Sequence, residues 1–200
     1  MNKESKQNIS KLFDDILSGA YIEYSAQKGV EAYVAYDERG IIFGISLNKT
    51  NNTYYLYETD LLKSEYEKHK ISPKSVKDYK YIYSNTSLIY NIREIVLNTN
   101  NDINSLFKTI LFKSDIIFHM NEGFESYFVI NSGLPVYNIG HNPNTHQYGM
   151  NRYLMANTLC KICGIPQNIK PDYKKLYKMV KDQYMANTVI EAMRNFEIEY

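Results

Sequence analysis

Residues 20–59, AYIEYSAQKGVEAYVAYDERGIIFGISLNKTNNTYYLYET, decide the fold class of this protein. Turn-forming residues interrupt the stretch three times, and the runs between them are rich in β-branched and aromatic residues. In the third run Ile41, Phe43 and Ile45 fall at every second position, so they would share one face of a strand. Short connections between successive strands imply antiparallel pairing. We therefore predict a four-stranded meander made of Ala20–Ser25, Val30–Tyr36, Ile41–Leu47 and Thr53–Thr59.

Helical periodicity predicts helices on both sides of this meander. Apolar residues recur at i, i+3, i+4 and i+7 in two clear cases. These are Ile9, Leu12, Phe13, Ile16 and Leu17, and, after a capping Asp102, Ile103, Leu106, Phe107, Ile110 and Leu111. Together with weaker patterns, the predicted helices cover residues 9–17, 60–69, 87–97, 103–111, 151–163 and 171–196.

The remaining runs of β-forming residues complete the predicted sheet. They are Tyr79–Tyr83, Ile116–Met120, Tyr127–Ile130 and Val136–Ile139, the last two joined by the turn Asn131-Ser132-Gly133 as a second hairpin. We predict a single α+β domain over residues 1–200, with a mostly antiparallel mixed sheet packed by five to six helices. An Asn-rich joint near 98–102 is the one place where the chain could subdivide, and no internal repeat is identified.

Composition narrows the class of partner and the compartment. An apolar content of 44% is typical of a globular chain. The 23 basic and 22 acidic side chains balance, which argues against a partner recognised over the whole surface, such as duplex DNA or a membrane. The chain begins without a signal-peptide pattern, and its two cysteines suit a reducing compartment. We expect a cytoplasmic protein (host cytoplasm if viral) that does not bind membranes.

The segment GHNPNTHQYGMNR, residues 140–152, is the densest concentration of reactive side chains. We predict a loop, His141–Gly149, that leads into a helix starting near Asn151, whose N-terminus would attract anions. Gly140 and Gly149 would let the backbone approach a phosphate closely. His141 and His146 suit acid–base work, and Arg152 suits a phosphate fork. The alternative interpretation is a plain polar connection with ordinary turn residues.

Two further hypotheses concern zinc and nucleic acid. His141, His146, Cys160 and Cys163 have a ligand count and short spacings that suit zinc, although cysteines beside Leu159 on one apolar helix face also suit a buried core.

The basic helix Lys170–Lys181 presents a stripe that could follow a phosphate backbone while tyrosines stack on bases. The lysines on one face of that helix are Lys174, Lys178 and Lys181, and a solvated outer face explains them as well.

No complete catalytic constellation is present, so the preferred function is a non-catalytic binding or interaction protein that takes a protein partner or a small nucleotide-like ligand. Twenty tyrosines and no tryptophan suit a contact surface. They also suit A/T-rich codons, which together with the small size suggest a phage or virus accessory factor. The alternatives are a small enzyme acting on a nucleotide or phosphoester through residues 140–152, and a structural zinc protein that binds nucleic acid. No cofactor is required by the preferred function.

Overall fold

The computed structural model describes the backbone of residues 3–198 and the side chains of residues 7–193. Its elements run in the order α1 (Lys3–Gly19), β1 (Tyr21–Gln27), β2 (Val30–Asp37), β3 (Gly40–Asn48), β4 (Thr53–Glu58), α2 (Asp60–Lys68), a 3-10 turn (Pro73–Ser75), α3 (Tyr79–Leu97), α4 (Ile103–Phe112), β5 (Asp115–Asn121), β6 (Phe124–Asn131), β7 (Leu134–Asn142), β8 (Gln147–Arg152), α5 (Leu154–Ile162) and α6 (Tyr173–Ile198).

The chain divides into two compact units, Met1–Tyr90 and Asn91–Tyr200. The boundary falls within α3 rather than in the Asn-rich segment near 98–102. Folding as one domain stays a prediction. None of the helices that the structure describes has the length and apolar character needed to span a bilayer.

The first unit is a four-stranded antiparallel sheet in the order β1-β2-β3-β4, covered on one face by helices. Its core contains Leu12, Phe13 and Leu17 of α1 packed with Phe43 and Ile45 of β3, all of them nearly or fully buried. Burial of the apolar stripe of α1 against one sheet face is the main stabilising contribution to this layer. Residues 20–59 therefore form the predicted meander, and α2 begins after Thr59, whose side chain accepts a hydrogen bond from the Leu62 amide.

The second unit contains a separate antiparallel sheet in the order β5-β6-β7-β8. Asp102 caps α4 as predicted, with its carboxylate accepting the Ser105 amide at 2.7 Å. Six α-helices and two antiparallel sheets over residues 3–198 confirm the α+β fold class. The predicted hairpin is β6 and β7 of this sheet; β5 and β8 flank it, and β8 is the strand that was not predicted.

Two secondary-structure predictions are wrong. Residues 79–83 form the start of α3 rather than a strand, so this helix begins at Tyr79 and not near residue 87. The aromatic residues of this run alternate with others, yet Tyr79, Ile82, Tyr83 and Tyr90 pack at helical spacing against the first core. Asp78 accepts the Tyr81 amide at 3.1 Å and so caps the helix.

The second error lies in the candidate loop. Residues 141 and 142 end β7, and residues 147–152 form β8, so His141–Gly149 is a β-hairpin rather than a long loop. Asn151 pairs with Asn138 inside the sheet, and the following helix begins only at Leu154. The connection is short because Asn142 closes a tight turn by accepting the amides of Asn144 and Thr145.

The two units repeat one design, which corrects the expectation that no internal repeat exists. Each strand of the first sheet has a counterpart of identical length 94 positions later, from β1 at 21–27 and β5 at 115–121 through to β4 and β8. Helices α2 and α5 follow the same spacing, as does the bulge between the second and third strands. Residues 9–90 and 103–184 therefore align without a gap, and we call them the first and second repeats.

Sequence identity between the repeats is low but concentrated in the core. Eighteen of the 82 aligned pairs are identical, and five of these are the apolar set of α1 and α4. Phe13 meets Phe43 edge-on at 5.2 Å, and the equivalent Phe107 meets Tyr137 edge-on at 5.0 Å. The repeat is hard to see in any short stretch of sequence, because the identical residues are widely spaced and lie mostly at core positions. Most exposed positions differ between the two repeats.

Candidate functional site

Both repeats contain a partly buried glutamate held by a tyrosine from the last helix of the repeat. In the first repeat, Glu31 on β2 accepts hydrogen bonds from the hydroxyl groups of Tyr83, at 2.8 Å, and Tyr24, at 3.1 Å. The ammonium of Lys49 lies 2.6 Å from the same carboxylate. Three donors thus satisfy a partly buried charge, as burial in a fold requires.

The second repeat reproduces this arrangement. Glu125, the counterpart of Glu31, accepts from the hydroxyl of Tyr177, the counterpart of Tyr83. Its ammonium partner is Lys181, at 3.2 Å, because Pro143 stands where the first repeat has Lys49.

The aromatic rings around each glutamate match as well. Tyr54 and Tyr83 lie 5.4 Å apart, and so do Tyr148 and Tyr177. We define the glutamate–tyrosine framework as the residues that both repeats share here: Glu31, Tyr33, Tyr54, Tyr83 and Tyr90, with their counterparts Glu125, Tyr127, Tyr148, Tyr177 and Tyr184.

The electrostatics of the framework favour an ionised glutamate and a neutral tyrosine. The hydrogen bond from Tyr177 holds the pKa of Glu125 below its usual range, against the opposing effect of burial, and Lys181 adds to the lowering. Burial raises the pKa of Glu31, but its hydrogen bonds to Lys49, Tyr83 and Tyr24 outweigh this and leave that pKa lowered. Burial and then the hydrogen bond to glutamate raise the pKa of Tyr83 and Tyr177.

A cleft of about 470 Å³ opens beside the framework of the second repeat. Its lining comes from β8 and the first turns of α6, namely Tyr148, Asp172, Lys174, Lys175, Tyr177, Lys178 and Lys181. The three lysines predicted to bind a ligand, Lys174, Lys178 and Lys181, are thus brought together, and Lys175 joins them. We call this the lysine cleft.

The lysines distinguish the second repeat from the first. The framework positions around the cleft are shared, as are the helix-capping Asp172 (Asp78 in the first repeat) and Lys174 (Lys80). The other three lysines replace uncharged residues: Lys175, Lys178 and Lys181 stand where the first repeat has Tyr81, Ser84 and Ser87. Lys181 takes the place of Lys49 beside the glutamate, but Lys175 and Lys178 have no such role, so their positive charge is not required by the common fold.

Not all of this positive charge is neutralised inside the protein. Lys178 pairs with Asp182 at 2.5 Å, and Lys181 pairs with Glu125. Among the residues that the structure describes, no carboxylate pairs with the ammonium groups of Lys174 or Lys175. Exposed pairs such as Lys178–Asp182 are weak, so an incoming anion can compete for them.

His141 lies directly behind the cleft. It sits opposite Glu125 in the strand register, and its ring stacks on Tyr148 at 4.5 Å and packs against Tyr177 at 5.3 Å. Its Nε2 atom is buried and lacks a hydrogen-bond partner in the described part of the chain. In the first repeat the equivalent residue is Leu47, so this histidine is another polar replacement in the second repeat.

His146 lies 6.2 Å from His141, measured between ring centroids, at the tip of the β7–β8 turn. Its backbone is left-handed, with φ of 54°, and Asn52 has φ of 53° at the same position of the first repeat. Since both repeats build the same turn there, His146 occupies a turn position.

Arg152 is directed away from the two histidines. Its guanidinium donates to the backbone carbonyls of Gln167 and Ile169 and lies 5.5 Å from the ring centre of Phe107. These contacts brace the connection between α5 and α6 within the second unit. The three residues predicted to act together in catalysis are therefore not assembled as one group.

The glycines and Asn151 do not form the predicted phosphate loop. Gly140 and Gly149 are paired across β7 and β8. A Cβ at Gly140 would lie 2.2 Å from the ring of Phe124. The space that Gly140 leaves open is therefore filled by Phe124 rather than available to a phosphate. Asn151 lies in a strand, and no helix begins there.

The four residues proposed as zinc ligands also have different structural roles. Cys160 and Cys163 are buried in and after α5, and Cys160 occupies the core position that Tyr66 fills in the first repeat. Burial raises the pKa of both thiols, which disfavours the thiolate that zinc needs. Within the described residues no three His, Cys, Asp or Glu side chains come together as a metal-binding group.

Comparison with known proteins adds no further information: no family model, curated protein or solved structure matched the chain. The two repeats can instead be compared with each other. Tyr148 and Glu125 are not among the predicted site residues, whereas Lys175 and Tyr177 lie within the predicted basic helix Lys170–Lys181. The signal that groups all four is the repeat itself. The repeat was visible in the two apolar sets beginning at Ile9 and Ile103.

Proposed function

We propose that this protein is a non-catalytic binding protein whose second repeat takes a phosphate-bearing ligand in the lysine cleft. One observation carries the proposal: Lys175 and Lys178 appear at the cleft only in the second repeat, on a framework that both repeats share, whereas Lys181 makes the glutamate contact that Lys49 makes in the first. Residues that the fold needs are expected in both repeats. Charges concentrated at one cleft of one repeat are better explained by a ligand of opposite charge.

The lining favours phosphate over other anions. Lysine ammonium groups act as mobile point charges, which suits the several oxygens of a phosphate group or a phosphate chain. The volume lies in the range of small-molecule pockets. The aromatic wall formed by Tyr148 and the aliphatic stems of the lysines offer contact to a base or sugar. A free nucleotide and a segment of single-stranded nucleic acid share this chemistry.

Exposed aromatic residues elsewhere also favour a binding role. Tyr55 and Tyr57 occupy one face of β4 and are 54% and 66% exposed, and Tyr21 on β1 is 68% exposed. Large exposed aromatic side chains are typical of contact surfaces. The enzyme hypothesis has less support, because Arg152 is occupied by backbone carbonyls away from His141 and His146.

The test is a binding titration with two probes, a fluorescent ATP analogue and a fluorescein-labelled single-stranded oligonucleotide. The double variant Lys175→Gln/Lys178→Gln is expected to bind about tenfold more weakly, with a shallower dependence on salt concentration, because two phosphate contacts are lost. Lys80→Gln, the first-repeat counterpart of Lys174, is the matched control and is expected to bind as the unchanged protein does.

The two probes distinguish the source of the phosphate. Saturation by the ATP analogue alone indicates a nucleotide, and tighter binding of the oligonucleotide indicates a strand. The proposal is wrong if neither probe binds, or if the double variant and Lys80→Gln bind equally well. Circular dichroism confirms that each variant is folded.

A further inference from the structure

The first repeat has a cavity of its own, and it lies at a different corner of the shared design. Its volume is about 390 Å³, and it lies where α1, α2 and the β2–β3 turn meet. The apolar part of its lining comes from Leu12, Ile16, Ala20 and Ile42. The charged part comes from Asp15, Asp37, Arg39, Glu65, Lys68 and His69. We call it the first-repeat cavity.

Charges of both signs are organised around this cavity. Arg39 donates to Asp37 at 2.7 Å and reaches Glu65 at 3.5 Å. Glu65 also has Lys68 at 3.4 Å and the His69 ring at 3.9 Å. The Asp15 carboxylate is the exception, since it makes no ion pair or hydrogen bond with the residues that the structure describes.

The second repeat shows that the fold does not need these charges. Every charged position of the cavity is uncharged there, with Thr109, Asn131, Gly133, Leu159, Ile162 and Cys163 in place of the six residues above. Asn131, the counterpart of Asp37, is fully buried and donates to the Lys113 carbonyl at 2.6 Å. This corner can therefore be built from neutral residues, and its charged lining is particular to the first repeat.

We propose that the first-repeat cavity binds a small zwitterion, a free α-amino acid with an apolar side chain. Asp15 and the negative C-terminal ends of α1 and α2 would attract the ammonium group. Arg39 and Lys68 would hold the carboxylate, and Leu12, Ile16 and Ile42 would contact the side chain. The volume suits a ligand of this size. This site is independent of the lysine cleft and of the function proposed for it.

Both signs of charge in one cavity decide the ligand class. A simple anion would lie against Asp15 and Glu65, and a simple cation would lie against Arg39 and Lys68. A molecule that has an ammonium and a carboxylate on one carbon satisfies both sets at once. The apolar part of the lining then selects among amino acids by side chain.

The test is isothermal titration calorimetry of the full chain with the twenty amino acids. We expect binding of at least one aliphatic member, such as L-leucine, with isoamylamine and 4-methylpentanoate each about tenfold weaker because one charged contact is missing. Asp15→Asn, which breaks no hydrogen bond or ion pair of that carboxylate in the described part of the chain, is expected to weaken leucine binding about tenfold by removal of a charged partner. Glu38→Gln, in the neighbouring turn but outside the lining, is the control and should bind normally.

Two results would overturn this proposal. One is the absence of heat from every amino acid at concentrations up to about 10 mM, the weak limit of a specific site. The other is binding that is equal in Asp15→Asn, Glu38→Gln and the unchanged protein. Because Asp15 is exposed and its carboxylate has no ion-pair partner among the described residues, the Asp15→Asn variant is expected to fold, and its thermal unfolding curve verifies this.

Discussion

The first and second repeats have the same fold, equivalent core positions and the same glutamate–tyrosine framework, yet they differ in charge at two places in the design. The second repeat places lysines along α6, where the first has Tyr81, Ser84 and Ser87. The first repeat places charges between α1 and α2, where the second has neutral side chains such as Leu159 and Cys163. Each repeat thus has a set of charged side chains whose counterparts in the other repeat are uncharged.

Comparison of the two repeats distinguishes residues that the shared fold requires from residues that are candidates for binding. What both repeats retain, such as Phe13 with Phe107 and Glu31 with Glu125, is explained by packing and by the need to satisfy buried charge. Packing and the need to satisfy buried charge do not explain the residues that only one repeat has. Internal duplication followed by separate specialisation accounts for both observations.

The largest expected effect tests whether the cores of the two repeats are equivalent. Phe13→Ala and Phe107→Ala each remove a fully buried ring and its edge-on partner contact. Each is expected to lower the free energy of unfolding by about 3–5 kcal/mol, because a cavity replaces the ring. Urea unfolding measures the change. A cost in one repeat that is several times the cost in the other would break the equivalence.

A smaller effect tests the framework. Tyr83→Phe and Tyr177→Phe each remove a hydroxyl that donates to a glutamate, and each is expected to cost about 1–3 kcal/mol because a partly buried carboxylate loses a donor. Urea unfolding again gives the value. The control is Tyr55→Phe, an exposed position expected to change stability by less than about 0.5 kcal/mol. A framework variant that behaves like this control would contradict a structural role.

The smallest expected effect has the opposite sign. The Tyr137 hydroxyl is buried without a hydrogen-bond partner among the described residues, and the first repeat has Phe43 at the same position. Tyr137→Phe is therefore expected to stabilise the protein by about 1 kcal/mol, since an unsatisfied polar group is removed. Thermal unfolding reports this as a higher Tm. A lower Tm would mean that the hydroxyl has a partner in solution.

Much of the fold was determined by local sequence. Alternation in residues 20–59 specified the first meander, and the apolar sets beginning at Ile9 and Ile103 specified α1 and α4, with Asp102 as a cap. These signals are local because a helix or a hairpin is defined by neighbours a few positions apart. Where the two periodicities competed, as in residues 79–83, only packing against the first core selected the helix.

The candidate sites were decided by tertiary structure. The sequence alone placed lysines on one face of the last helix, but it could not place them beside Tyr148, nor bring Glu125 to Tyr177, because those residues are far apart along the chain. It grouped His141 with Arg152 by proximity in sequence. The strand register does place both on one face of the sheet, but Arg152 pairs with Tyr137, four residues along β7 from His141, and its guanidinium donates to the carbonyls of Gln167 and Ile169. Short-range pattern thus determined the elements, and long-range strand pairing determined which side chains meet.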